Sequence, residues 1–126
     1  MIDHVSIAVR DLAASAALYE RVLAPIGLAK LVERPESAGF GKRYPEFWLN
    51  ARPGMAPVPS DTGCHVCLRA PSEDAVRSLF ETALALGCTG AGDPGPRQAA
   101  MTEYFGAFIL DPDGNKVEAA FFPRKD

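Results

Sequence analysis

The sequence has few of the residues that staple a small fold or direct it to a special compartment. It contains three cysteines, two histidines and one tryptophan among 126 residues. An odd cysteine count without an export signal argues against a disulfide scaffold, so we expect a cytoplasmic protein. No apolar run approaches the roughly 18 residues that a membrane helix needs. The opening MIDHVSIAVRD also lacks the basic and apolar segments of a signal peptide.

An excess of charge of one sign is missing as well. The formal net charge is -3, with 23% charged and 48% hydrophobic residues, which is ordinary for a globular protein. Because the sequence has no basic stripe, we do not expect a nucleic acid as partner. The length of 126 residues suits one domain with its own core.

What the chain does have is a repeated order of elements, which begins in its first half. IDHVSIAVR alternates like a strand, and Asp11 is a good N-cap for a helix that ends near Gly27. Three short strands are predicted next, around Leu28–Arg34, Ala38–Lys42 and Glu46–Asn50.

The second half repeats this order. CHVCLRA is strand-like, Ser72 is an N-cap for a helix that ends at Gly87, and EYFGAFILDPDGNKVEAAFF predicts two strands joined by a DPDGN turn. Shifting the first half by 61 positions places His4 on His65 and Asp11 on Ser72. Because equivalent positions keep the same physical role, we interpret the two halves as copies of one unit.

The repeat predicts an α+β fold of two βαβββ modules. We place the first module at about residues 1–55 and the second at about 62–126, with a proline- and glycine-rich connection at about 51–61. This connection is too short for a flexible linker between domains. We therefore expect one domain over residues 1–126.

The segment GCHVCLRAPS contains Cys64 and Cys67 at the C-x-x-C spacing. Residues three apart in a strand point to opposite faces of the sheet, which keeps the two sulfurs apart. A structural zinc site would also need two further ligands at similar spacing, and Cys88 stands alone. We interpret the cysteines as small packed hydrophobic residues.

The two histidines form a candidate metal site with one glutamate. His4 and His65 occupy equivalent positions, so a pseudo-twofold axis between the modules would let their side chains converge. Glu118 lies in the apolar run NKVEAAFF, where a carboxylate is costly to bury unless it is paired or binds a cation. Two imidazoles and a carboxylate are a metal-binding set. A packed histidine and a solvent-facing Glu118 are the alternatives.

Three segments carry a family resemblance: DHVSIAVRDLAASAALYERVLAPIGL, HVCLRAPSEDAVRSLFETALALG and FILDPDGNKVEAAF. Together they resemble the vicinal-oxygen-chelate superfamily, which includes glyoxalase I, extradiol dioxygenases, and fosfomycin and bleomycin resistance proteins. The resemblance implies a curved, half-open, eight-stranded mixed sheet around a central metal site, in a homodimer. It also implies that His4 and His65 are the first-strand ligands and that Glu118 is the fourth-strand ligand.

In glyoxalase I a fourth ligand, usually glutamate, lies on the strand that PEFWLN resembles. Pairing PEFWLN with NKVEAA places Asn50 at that position, or Trp48 after a slip of two residues; Glu46, near the strand entrance, is less suitable. A missing glutamate argues against the glyoxalase I reaction. Trp48 and Asn50 are then expected to contact the substrate.

Other residues are candidates for contacts with a substrate. Tyr104 precedes the DPDGN turn and would donate a proton or orient the substrate. Cys67 and Arg69 share a strand face with the second histidine, and GPRQAAMTEY resembles a pocket-edge loop that carries Arg97 and Gln98. Packing or solvation is the alternative for each of these side chains.

The pattern as a whole favours a metal-dependent enzyme that acts on a small oxygen-rich metabolite. Fe²⁺, Mn²⁺, Ni²⁺ and Zn²⁺ all suit two histidines and one carboxylate. Isomerase or lyase chemistry and dioxygenase chemistry both stay open. The alternative class is a non-catalytic antibiotic-binding protein of the bleomycin-resistance type. Thiol transfer to an epoxide antibiotic is disfavoured because the sequence shows no basic phosphonate pocket.

Overall fold

A computed structural model describes residues 1–59 and 61–123. The first module contains strand β1, helix α1, a short 3₁₀ turn and strands β2, β3 and β4: Val5–Val9, Leu12–Val22, Ala24–Ile26, Ala29–Glu33, Ser37–Gly41 and Pro45–Ala51. The second contains β5, α2, β6, β7 and β8: Val66–Arg69, Glu73–Ala85, Thr89–Gln98, Glu103–Leu110 and Lys116–Phe121. The predicted βαβββ order is therefore confirmed in both halves.

Both helices begin at the predicted caps. The side chain of Asp11 accepts a hydrogen bond from the Ala14 N–H at 3.1 Å, and that of Ser72 accepts one from the Ala75 N–H at 3.0 Å. Each bond satisfies one of the amide groups that a first helical turn leaves free. Gly87 follows α2 with a φ of 102°, a left-handed conformation that glycine adopts without steric cost.

The eight strands form two four-stranded mixed sheets, in the orders β1-β4-β3-β2 and β5-β8-β7-β6. In each sheet the first and last strands of the module pair in parallel, and the other neighbours are antiparallel. The half-open architecture is thus confirmed, although no ladder joins the two sheets in the part of the chain that the structure describes. Strands β1 and β5 each form the edge of their own sheet.

The helices cover one face of the sheets and leave the other face open. α1 packs on β2, β3 and β4, α2 packs on β6, β7 and β8, and the helices also contact each other. One hydrophobic core runs through both modules, with Tyr19, Phe40, Phe47, Leu79 and Ile109 among its fully buried side chains. We call the side opposite the helices the open face.

The DPDGN turn ties the second module to the first. The carboxylate of Asp111 accepts hydrogen bonds from the Tyr19 hydroxyl at 2.8 Å and from the N–H groups of Asp113 and Asn115 at 2.9 Å. Burial, followed by the nearby charge of Asp111, raises the pKa of Tyr19 well above its usual value. The hydroxyl is therefore a permanent donor, and it anchors the turn to α1.

Two further contacts of this turn reach the end of β1. The amide of Asn115 donates to the Ala8 carbonyl at 2.8 Å, and Arg10 donates to the Asp113 carboxylate at 2.8 Å. The predicted DPDGN turn therefore also holds the two modules together through hydrogen bonds. This role depends on residues that are remote from the turn in sequence.

Two local predictions need correction. Arg97 and Gln98 do not lie in a loop: they end β6 and pair with Tyr104 and Glu103, because the backbone ladder of β6 with β7 continues to the hairpin turn. The predicted strand that contained the first histidine begins only at Val5, one residue after it. No helix in residues 1–59 and 61–123 is long and apolar enough to cross a membrane.

Candidate functional site

A buried carboxylate lies on the open face of the second sheet. Glu118 is 3% exposed and sits in the middle of β8, opposite Cys67 on β5 and Phe108 on β7. Its neighbours along the strand, Val117 and Ala119, point into the core. Because side chains alternate along a strand, this arrangement directs the carboxylate away from the helices.

Both carboxylate oxygens of Glu118 are occupied by side chains of the same sheet. The Nε2 atom of His65 lies 3.0 Å from Oε1, and the Tyr104 hydroxyl donates to Oε2 at 2.5 Å. A carboxylate with so little access to water is stable only with such partners. Glu118 is therefore the centre of a three-residue polar cluster, which we call the Glu118 cluster.

Strand geometry and one aromatic ring place His65. The residue directly precedes β5, and its ring meets that of Phe108 edge to face, with centroids 5.3 Å apart. The side chain of His65 is 39% exposed, whereas that of Glu118 is 4% exposed. The carboxylate of this pair is therefore buried, whereas its imidazole is accessible to solvent.

A glycine lets the tyrosine reach the carboxylate. A Cβ atom on Gly106 would lie 2.9 Å from the Tyr104 ring and 3.2 Å from the Glu118 carboxylate, so only glycine leaves room for both. The other side of the Tyr104 ring stacks on Phe122, with centroids 4.8 Å apart. Tyr104 is therefore held flat along the sheet.

The hydroxyl and the nearby thiol are both protonated at neutral pH. Burial, the hydrogen bond to Glu118 and its charge raise the pKa of Tyr104 to about 12. Burial and the same charge raise the pKa of Cys67 to about 12. Tyr104 is consequently a proton and hydrogen-bond donor, while Cys67 lacks the thiolate that a nucleophile needs.

The predicted third ligand stands apart from this cluster. The Nδ1 atom of His4 lies 2.7 Å from a carboxylate oxygen of Asp3, and its side chain is 57% exposed. His4 lines a cleft of about 390 Å³ on the open face of the first sheet, together with Trp48 and Asn50. Within residues 1–59 and 61–123, no three His, Cys, Asp or Glu side chains form a group that could hold a metal ion.

Strand register identifies the first-module counterpart of Glu118. Cys67 pairs with Glu118, and Ser6, which the repeat places on Cys67, pairs with Trp48. Trp48 therefore occupies the position of the fourth ligand in the first module. The preferred assignment of Asn50 to this position is wrong, and the alternative with a two-residue slip is the one that the strand register supports. An indole cannot act as a metal ligand or as a carboxylate base.

A family model of the Glyoxalase/Bleomycin resistance protein/Dioxygenase superfamily matches residues 1–119. The chain belongs to this superfamily. Among curated proteins, none matches the chain significantly.

Solved structures of the superfamily share the fold. A glyoxalase/bleomycin resistance protein from Albidiferax ferrireducens is 25% identical, with a TM-score of 0.84 over 95% of this chain and 98% of that one. A glyoxalase/bleomycin resistance protein/dioxygenase family enzyme from Burkholderia phytofirmans is 20% identical, with a TM-score of 0.69 over 95% and 97%. The fosfomycin resistance protein FosX from Listeria monocytogenes is 15% identical, with a TM-score of 0.67 over 98% and 93%. The last two likenesses concern the fold alone.

The superfamily includes metal-dependent enzymes, and a bound metal ion sets the distance between its donor atoms. Two ligand atoms bound to one ion at about 2.1 Å lie roughly 3 Å apart when their bonds are at right angles. The 3.0 Å between His65 Nε2 and Glu118 Oε1 matches that separation. The donor set therefore fits two positions of a metal site, and a third requires His4 to approach the pair.

Sequence reasoning did not single out three residues of the open face of this superfamily member. Phe108, Lys116 and Phe122 all lie near the Glu118 cluster. The available signal was strand alternation, since Lys116 lies two residues before Glu118 and Phe122 four residues after it. Alternation alone gives the face of a strand, and neighbouring strands had to be paired before Phe108 could be placed.

Proposed function

We propose that the protein is an enzyme that binds a small oxygen-rich metabolite on the open face of the second module. A divalent ion (Fe²⁺, Mn²⁺, Ni²⁺ or Zn²⁺) is held there by His65 and Glu118, with His4 as third ligand. The observation that carries the proposal is the buried Glu118 carboxylate, with His65 and Tyr104 on its two oxygens. A buried, multiply bonded carboxylate next to an accessible imidazole is typical of a functional site.

Each residue of the Glu118 cluster has a separate task. His65 Nε2 and Glu118 Oε1 would hold the ion, and Tyr104 fixes the second carboxylate oxygen, as outer hydrogen bonds do in metal sites. The Tyr104 hydroxyl is protonated at neutral pH, and its single proton would have to turn from Glu118 to a substrate oxygen for Tyr104 to act as an acid. When bound, the ion polarises substrate oxygens as a Lewis acid.

Metal content and affinity of purified protein test this proposal. We expect about one ion per chain and a loss of affinity of at least about 100-fold in Glu118→Gln and His65→Ala. Glu81→Gln is the matched control, because Glu81 is an exposed acidic residue of α2, on the helix side of the same module. An unmodified protein without measurable affinity, or a Glu118→Gln variant that binds as well as the control, contradicts the proposal.

His4→Ala tests the third ligand separately. We expect a fall in affinity similar to that of His65→Ala, and an unchanged affinity would remove His4 from the site. Since His4 and the Glu118 cluster do not meet within one described chain, a homodimer could bring the two together across an interface. Mixing His4→Ala with Glu118→Gln would then restore part of the metal binding, whereas no recovery contradicts a shared site.

The second candidate is a protein that captures a small molecule without changing it. It is favoured by the first-module cleft, where Arg34 lies 5.3 Å over the ring of Trp48, and by the hydrogen bond between His4 and Asp3. An aromatic ring and a cation suit ligand binding and supply no acid–base chemistry. Stoichiometric binding that is insensitive to chelators, without turnover, would support capture over catalysis.

A further inference from the structure

Three cations surround the Glu118 cluster on the open face. Arg69 on β5, Lys116 on β8 and Arg97 on β6 come from three of the four strands of the second sheet. None of the three has a carboxylate within 4.0 Å among residues 1–59 and 61–123. A single buried carboxylate is thus faced by three positive charges that no described side chain neutralises.

Strand register places these cations on the same face as Glu118. Lys116 precedes Glu118 by two residues, and Arg69 follows Cys67, the partner of Glu118, by two. Arg97 pairs with Tyr104, whose hydroxyl reaches Glu118. Since residues at even separations share a face, all three side chains rise from the surface that carries the Glu118 cluster.

Two aromatic rings hold the cations in place. The Arg97 guanidinium lies 5.5 Å and the Lys116 ammonium 4.8 Å from the centre of the Phe108 ring, and Phe108 also contacts His65. Gly92 makes the approach of Arg97 possible, because a Cβ there would lie 3.0 Å from both the guanidinium and the ring.

The third cation is held by the other ring. Arg69 lies 4.9 Å from the centre of Phe122, which stacks on Tyr104. Each cation is therefore one ring away from a member of the Glu118 cluster. Cation–aromatic contacts orient a charge without neutralising it. One Nη atom of Arg97 donates to the Asp93 carbonyl at 2.7 Å, and the other donors of its guanidinium stay available for an anion.

We propose that the substrate carries an anionic group, a carboxylate or a phosphate, bound by Arg69, Arg97 and Lys116. This inference rests on the proposed function, since it assumes that the open face of the second module is the substrate site. Guanidinium and ammonium groups are the usual partners of such oxyanions. The substrate oxygens that react lie toward Tyr104 and Glu118.

The charge on the other side of His65 gives the substrate a direction. Asp3 and Glu46 line a cleft of about 370 Å³ together with His65 and Cys67. Their carboxylates repel an anion at that end. The anionic group is therefore expected on the side of the Glu118 cluster away from Asp3 and Glu46, and the neutral end of the substrate toward β1.

A matched pair of aromatic probes tests the inference. Benzoate and benzamide have nearly the same shape and differ in charge, and their binding is measured by ligand-observed NMR, with inorganic phosphate as competitor. We expect benzoate to bind about tenfold tighter than benzamide and to weaken as salt is added. Displacement of benzoate by phosphate would show that the site accepts both oxyanions, and its failure would restrict the inference to carboxylates.

Variants separate these cations from ordinary surface charge. Arg97→Gln, Arg69→Gln and Lys116→Gln should each weaken benzoate binding several-fold, and benzamide binding much less. Arg77→Gln is the control: Arg77 on α2 lies 4.7 Å over Phe105, a core residue, and it makes the same kind of contact from the helix side. It should leave benzoate binding unchanged.

Equal binding of the two probes, or equal losses in Arg97→Gln and Arg77→Gln, would overturn the inference. These outcomes differ from those that test the proposed function. A protein that binds metal through Glu118 without preference for benzoate loses only the anion proposal. A protein that prefers benzoate through these cations but binds no metal loses only the proposed metal-dependent reaction.

Discussion

The two modules share a backbone plan and differ in what they place on the open face. At the position where the second module has Glu118, the first has Trp48, and across the antiparallel pair Phe108 corresponds to Gly39. The aromatic residue is therefore on β4 in the first module (Trp48) and on β7 in the second (Phe108). Trp48 lies over Gly39, and Phe108 lies beside the carboxylate of Glu118.

This difference shows how a repeated unit can divide its tasks. Cβ atoms placed on Gly39 would lie 3.1 Å from the indole of Trp48, so the first module fills the space above its sheet with a ring. The second module uses the equivalent space for the Glu118 cluster and its hydrogen bonds. The same strands therefore support an aromatic cleft in one half and acid–base groups in the other.

The largest effect is expected where the modules depend on each other. Asp111→Ala removes the acceptor of Tyr19, Asp113 and Asn115 and leaves buried donors without partners. We expect a loss of about 3 kcal/mol or more in the free energy of unfolding, measured by urea denaturation. The control Asp11→Ala removes only an exposed helix cap and should cost about 1 kcal/mol.

If Asp111→Ala costs no more than Asp11→Ala, the turn does not hold the modules together. Tyr19→Phe refines the comparison, because it removes one bond to Asp111 and leaves the two backbone donors satisfied. Its cost should lie between those of the other two variants.

An intermediate effect is expected at the glycines that accommodate the rings. Gly106→Ala brings a methyl group to 2.9 Å from Tyr104, and Gly39→Ala brings one to 2.7 Å from Pro45 and 3.1 Å from Trp48. We expect each to cost about 1 to 3 kcal/mol in thermal or urea unfolding, through overpacking. Gly95→Ala is the control, since its nearest neighbour is 3.9 Å away.

The two glycine variants should differ in function. Gly106→Ala displaces Tyr104 from Glu118 and should change the titration of that tyrosine, whereas Gly39→Ala should leave it unchanged. Similar titrations in both variants would show that Gly106 has no special role in the Glu118 cluster.

The smallest effect distinguishes the tyrosines of the two modules. The charge of Asp3 is the main cause that raises the pKa of Tyr44, whereas burial is the main cause that raises that of Tyr104 to about 12. Asp3→Asn should therefore return the pKa of Tyr44 close to 10.0, and Glu118→Gln should lower that of Tyr104 only part of the way. NMR of ¹³C-labelled tyrosine as a function of pH measures both.

The sign of the linked stability follows from the same values. A phenol whose pKa is raised on folding stabilises the protein fully below pH 10 and loses that contribution as the pH rises toward 12. In Tyr104→Phe this part of the alkaline loss should disappear. A Tyr104 titration that is unchanged in Glu118→Gln would contradict the assigned contact.

Much of the fold follows from patterns that act over short distances. Asp11 and Ser72 cap helices because their side chains reach amide groups three residues away, and the apolar alternation of NKVEAAFF indicates a buried strand with an expensive carboxylate. Glu118 was predicted to need a partner for that reason, and its contact with His65 supplies one.

The parts that were not predicted depend on pairing between remote segments. Trp48, and not Asn50, pairs with Ser6, the residue that the repeat places on Cys67. The two alternatives differ by two residues in strand register. The partner of His4 proved to be the adjacent Asp3, because an exposed side chain at a strand entrance is free to bond locally. The contacts of Phe108 with His65, Arg97 and Lys116 join strands β6, β7 and β8 to the residue that precedes β5.

The sequence by itself determined the two βαβββ modules, the starts of both helices and the strand faces, since periodicity and capping are local properties of a chain. The predicted end of the first helix near Gly27 was too late, because α1 ends at Val22 and a 3₁₀ turn at Ala24–Ile26 follows. The tertiary structure alone decided which side chains meet above the sheets and how the DPDGN turn joins the halves. Those contacts depend on the register of paired strands and the packing of one module against the other, and neither is encoded within a single element.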